Sequence, residues 1–143
     1  MWLIYALLDA LMAAISITLT KAGVKNLNPV LAFALESILI LTISWSAVFI
    51  KGGQSEISKM DKQTWLFLAG AGVATTLASL FQFGALKDGH AGAVSSIDRS
   101  SLVLTIIFAT FFLKEKLTWQ LVVGGILIVG GAILIATGKQ QGK

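Results

Sequence analysis

Apolar residues run in five stretches, at about residues 2–20, 30–50, 65–84, 91–113 and 119–137, with short polar islands between them. An α-helix rises about 1.5 Å per residue, so each stretch is long enough to cross a hydrocarbon layer roughly 30 Å thick. The stretches are continuously apolar instead of alternating, and a barrel strand needs only about 9–11 residues, so helices are predicted and not strands. The expected fold is therefore an all-α membrane protein of five transmembrane helices.

The breaks between the stretches carry their own punctuation. Asn28 and Pro29 have the residue types of a helix N-cap and first helical position, while Gly52 and Gly53 stop the second span. Asp61 is expected to cap a short interfacial turn leading to Trp65. Trp2, Tyr5, Trp65 and Trp119 fall near span starts, where an amphipathic ring gains from the headgroup boundary; Trp45 lies deeper. Lys87, Asp88, Gly89 and His90 predict one tight polar turn, and Lys114, Glu115 and Lys116 another. The longest connection, Lys51 to Thr64, is fourteen residues, so residues 1–143 read as a single transmembrane domain. The first stretch reads as a span and not as a cleaved leader, because no Lys or Arg precedes it and Asp9 interrupts it.

Composition sharpens this picture. Of 143 residues, 56% are hydrophobic and only 13% charged, which excludes an ordinary water-soluble globule. The net charge of +4 comes from lysines at the ends of apolar runs, so they read as membrane-flanking residues and no nucleic-acid partner is expected. With no cysteine and a single histidine, His90, disulfides, thiolate chemistry and multi-histidine metal clusters within one chain are excluded. No nucleophile elbow or Walker lysine appears, so neither an enzyme nor a bound cofactor or metal is expected. His90 and Glu115 read most simply as a boundary residue and part of a solvated turn.

The lysines are nearly balanced across the membrane. One face collects Lys51, Lys59, Lys62, Lys114 and Lys116; the other collects Lys21, Lys25, Lys87, Lys139 and Lys143, five against five, with Arg99 adding a sixth to the second face. Orientation follows the asymmetry of Lys and Arg between loops, so a chain lacking that asymmetry is expected to insert both ways.

Four charges lie within the spans: Asp9, Glu36, Asp98 and Arg99. Each costs several kcal/mol, about 2.5–3.5 on insertion scales, unless it meets a partner or a water-filled cavity. Asp9, Ser16 and Thr20 share a face of the first helix; Thr75, Ser79 and Gln82 do so on the third; Asp98, Ser101 and Thr105 do so on the fourth. These faces could line one polar path, although the hydroxyls taken alone read first as groups bonding back to their own helix or gluing neighbours. Three acids against one base leave two carboxylates that must be protonated, solvated or occupied by a cation. Asp9, about 3 Å from the middle of its span, is the candidate for proton or cation handling. Gly124, Gly125, Gly130 and Gly131 form a small-residue seam on the last helix, and Gly92, Ser96 and Ser100 a second stripe, both read as helix packing.

Five spans, short loops, a glycine-rich last helix and the Lys114-Glu115-Lys116-Leu117-Thr118 turn before it resemble the EamA-like branch of the drug/metabolite transporter superfamily. The chain is similar to its short, single-repeat members, in which an Asp-Lys pair followed by a Ser-Leu-Val-Leu-Thr-like run stands where Asp98-Arg99 stands here. It departs from them at Met12-Ala13-Ala14, in place of an aromatic-Trp-Gly step, and at Glu36-Ser37, in place of Arg-Thr. The reversed charge suggests that Glu36 pairs with Arg99. The resemblance implies a secondary transporter of a small organic solute, a multi-pass protein of a bacterial-type plasma (inner) membrane surrounded by membrane lipid. Since longer members resemble two oppositely oriented repeats, an antiparallel homodimer is expected, or a paired homologous subunit. Asp9, Glu36, Asp98, Arg99, Ser16, Gln82 and Ser101 are then candidates for substrate or proton binding. The alternatives are a non-transporting membrane subunit or a carrier of a lipid-linked headgroup.

Overall fold

The computed structural model describes residues 1–138. Lys139 and Lys143, which enter the charge balance, lie outside the described residues. The described chain is helical: α1 (Trp2–Val24), α2 (Pro29–Lys51), α3 (Gln54–Ile57), α4 (Lys62–Asp88), α5 (Ala91–Arg99), α6 (Ser101–Phe112) and α7 (Trp119–Thr137). Counting α5 and α6 as one span, five helices are long and apolar enough to cross a membrane.

The ends of these helices follow from their local chemistry. Asn28 is extended, and its side-chain oxygen accepts a hydrogen bond at 2.9 Å from the Val30 N–H, with Pro29 opening α2. At the other end Gly52 takes a left-handed conformation at φ 74°, which costs a residue without a Cβ nothing, and its N–H bonds the Val48 carbonyl. Asp61 accepts from the Thr64 N–H at 3.1 Å, but it caps the 27-residue helix α4. The separate interfacial turn is α3, several residues earlier. Lys87 and Asp88 belong to the last turn of α4, so the turn expected there is shorter, while residues 114–118 form a loop in which Lys114 is left-handed at φ 55°.

The largest departure from the sequence reading is in the fourth span, expected as one helix over 91–113. It is interrupted at Ser100, which separates α5 from α6. At the junction the Ser100 N–H bonds the Ile97 carbonyl at 2.9 Å and the Val103 N–H bonds the Ser100 carbonyl at 3.2 Å, so three-residue steps replace the four-residue steps of an α-helix. Ser96 donates to the Gly92 carbonyl and Thr105 to the Ser101 carbonyl on either side of the break.

The chain divides into two compact units. The first comprises residues 1–18, with most of α1, together with residues 88–138 of the described chain. Within it α5 and α6 pack against α7, where Gly125 and Ala132 are buried. The second comprises Leu19–Lys87, the last turns of α1 with α2, α3 and α4. Its buried side chains are Val24, Phe83 and Leu86, and the Phe83 ring meets Phe33 edge-on with centroids 5.4 Å apart. Large apolar side chains elsewhere are open, including Ile50, Phe81 and Leu134, which suits lipid as the surrounding solvent.

Candidate functional site

Two open clefts adjoin the break in the fourth span, both within the first unit. One, of about 280 Å³, is lined by Ser95, Ser96 and Arg99 from α5 and by Ile128, Gly131 and Ala132 among the residues of α7. The other, of about 440 Å³, is lined by Arg99, Ser101, Leu102, Thr105 and Ile128. Arg99 and Ile128 border both. The interruption at Ser100 explains this sharing: Arg99 ends α5 and Ser101 begins α6, so one guanidinium stands where two helical segments meet. The Thr105 hydroxyl donates to the Ser101 carbonyl at 3.0 Å and the Ser96 hydroxyl to the Gly92 carbonyl at 2.7 Å, which leaves their oxygens with acceptor capacity and satisfies their protons locally. Asp98 is exposed and is absent from both linings.

In the second unit the half-buried Glu36 accepts a hydrogen bond from the Thr20 hydroxyl at 3.3 Å, joining α1 to α2. One residue beyond Thr20, the Lys21 ammonium donates to the Leu86 carbonyl at 2.6 Å and to the Lys87 carbonyl at 3.2 Å. A cation thereby closes the carboxyl end of α4, where unpaired carbonyls and the helix dipole concentrate negative charge. Gln82 is half-buried on α4, while Asp9 and Ser16 are exposed on the part of α1 that belongs to the first unit.

The candidate residues thus fall into separate settings. Arg99 and Ser101 share a cleft; Glu36 is engaged by Thr20; Asp9 and Ser16 lie on an open helix face. Many of the other hydroxyls, among them those of Thr18, Ser37, Thr42, Ser46, Thr76 and Thr110, bond to the carbonyl four residues earlier. In the glycine-rich helix the close approach is at Gly125, where a Cβ would lie 3.4 Å from Val103 Cγ2 and 3.6 Å from Ile106 Cδ1. A Cβ at Gly124, Gly130 or Gly131 would meet nothing within 4 Å. Sequence reasoning passed over three contributors: Ser95 and Ile128, which line the clefts, and Lys21, counted only as a flanking charge. The Ser95-Ser96 pair ahead of Asp98-Arg99 was the available signal for the first.

Outside the spans, Asp61 is held below its ordinary carboxylate pKa of 3.8 by hydrogen bonds from the Thr64 hydroxyl and the Thr64 N–H. Both favour the charged form at the start of α4, where a helix dipole also favours an anion.

The model of the EamA-like transporter family matches residues 1–137. A relative from Sinorhizobium sp, described as an uncharacterized transporter in the cobO 3′ region, is 37% identical over 135 residues, covering 94% of this chain and 96% of its own length. No solved structure matches the chain significantly.

Proposed function

Because this chain belongs to the EamA-like transporter family, we infer that it is a secondary transporter moving a small organic solute across the membrane as an antiparallel pair of copies. The observation that carries this reading is an arginine in a membrane-spanning segment that borders two open clefts. A guanidinium within a membrane span is expensive, and its position beside space large enough for a small molecule fits a solute site better than a packing role. Asp9, near the middle of the first span, is assigned the coupling proton or cation. The pairing follows from one repeat per chain and from the even division of lysines, since two opposed copies supply the two mirror-like states that alternating access requires.

Two measurements test this. Single thiols introduced at Lys51→Cys and Lys25→Cys into the cysteine-free chain are labelled from one side of intact cells; both sites label partially if insertion is mixed, whereas one full and one silent site refutes the antiparallel homodimer. Purified protein in vesicles is then screened for uptake of labelled solutes under an imposed pH gradient. Flux that is lost in folded Arg99→Gln and uncoupled from the gradient in Asp9→Asn supports the reading. Flux unaffected by both changes removes these residues from the mechanism.

A further inference from the structure

We propose that the paired clefts at Arg99 bind an oxyanion carrying an apolar group, so that the solute is an organic anion with a short hydrocarbon body. This rests on the transport reading above and adds the substrate class. The charge of the walls selects the sign: Arg99 borders both clefts, and neither lining contains a carboxylate. A cationic solute would therefore meet a like charge in either cleft.

The rest of the lining selects the body. Ser96, Ser101 and Thr105 supply the only side-chain oxygens besides that of Ser95, and the remaining surface is aliphatic, from Leu102 and Ile128 to Ile135. A guanidinium offers a planar fork that fits a carboxylate or phosphate through two parallel hydrogen bonds. Beyond it the aliphatic walls leave room for a few methylenes or one ring, and no further charge on the solute would find a partner.

The same chemistry could come from a dissolved carboxylate or from the headgroup of an anionic lipid, and the test separates them. Purified protein in a neutral detergent is titrated with hexanoate, with hexylammonium, with dihexanoyl phosphatidylglycerol and with dihexanoyl phosphatidylcholine, following thermal unfolding. A ligand that binds only the folded state raises the midpoint in proportion to its occupancy. Hexanoate is expected to stabilise the protein and hexylammonium is not. Arg99→Gln should weaken the hexanoate response at least about tenfold, since a charge-assisted hydrogen bond is lost, and Arg99→Lys by less. Because Arg99→Gln could fail to fold, Ile128→Trp serves as a second variant: it keeps the charge, adds bulk at a residue that borders both clefts, and should weaken the hexanoate response while preserving helical content. Stabilisation by hexanoate without the glycerol lipid assigns a dissolved anion; stabilisation by the glycerol lipid but not the choline lipid assigns a lipid headgroup. Equal responses to hexanoate and hexylammonium, or a hexanoate response unchanged in folded Arg99→Gln and Ile128→Trp, overturn the proposal. The readout needs no gradient or flux. Anion binding without uptake in vesicles would sink the transport reading alone, and cation uptake without anion binding would sink this inference alone.

Discussion

Replacing Lys21 by Met removes the ammonium that closes the carboxyl end of α4 while keeping an unbranched side chain of similar length. The loss can be worked from the geometry. The last four carbonyls of an α-helix have no partner within it, and the end carries roughly half a negative charge. Lys21 serves two of the four, and the 2.6 Å bond goes to the carbonyl of Leu86, a residue with 0% exposure. A hydrogen bond involving a charged group contributes about 1.5–3 kcal/mol, and a buried carbonyl left unpaired costs about 1–3 kcal/mol. The second bond, to Lys87 at 3.2 Å, is in an exposed setting and adds little. Since Lys21 itself is only half-buried, the lower end of the range applies, so Lys21→Met should destabilise the second unit by about 1.5–2 kcal/mol. Unfolding in mixed micelles with increasing dodecyl sulfate, followed by far-ultraviolet ellipticity, measures it. Lys21→Arg, which keeps a cation of similar reach, should recover most of the loss. If Lys21→Met lies within about 0.5 kcal/mol of the parent protein, or if Lys21→Arg is equally damaging, the capping argument is wrong.

Gly125→Leu should cost about 1–3 kcal/mol by overpacking Val103 and Ile106, whereas Gly124→Leu, with open space around its Cβ position, should leave the chain folded with unchanged thermal stability. The cap at Asp61 has a folded-state pKa below 3.8, so its contribution is complete above that value and is lost as pH falls through the depressed one; amide protection at Thr64 should be flat between pH 5 and 8 after correction for intrinsic exchange, fall only in acid, and persist in Asp61→Asn. If Glu36 and Arg99 neutralise one another, the double change Glu36→Gln with Arg99→Gln should be better tolerated than either single change in membrane yield and thermal stability; a double variant no better than the singles rejects that pairing.

The five spans were legible because lipid imposes a length and a continuous apolarity on any crossing helix, and α7 begins and ends where the apolar run 119–137 does. Caps were equally legible at Asn28-Pro29 and Gly52, since these residue types answer backbone needs that hold wherever a helix starts or stops. The break at Ser100 was not. Hydroxyls bond to nearby carbonyls on either side of it, but the same bonds occur in the unbroken α2, so no residue type marked the break, although the fourth span has the lowest mean hydropathy of the five at 1.4. The packed position in α7 was also ambiguous: Gly124-Gly125 and Gly130-Gly131 are doublets, and adjacent residues point about 100° apart, so spacing alone could not tell that Gly125 faces α6. For the site, charge at depth singled out Arg99, while Ile128 carried no signal because one aliphatic side chain among many looks the same from the sequence.

The buried side chains of the second unit, Val24, Phe83 and Leu86, all lie where α1 and α4 finish, and Phe33 joins them from the start of α2. Among the described residues none between 38 and 80 is buried, so the opposite ends of α2 and α4 have no comparable fastening. Long rods clasped at one tip act as levers. Across about 30 Å of helix, a tilt of roughly 10° at the clasp sweeps the far tip about 5 Å, close to a full helical pitch, without separating any of the residues that form the clasp.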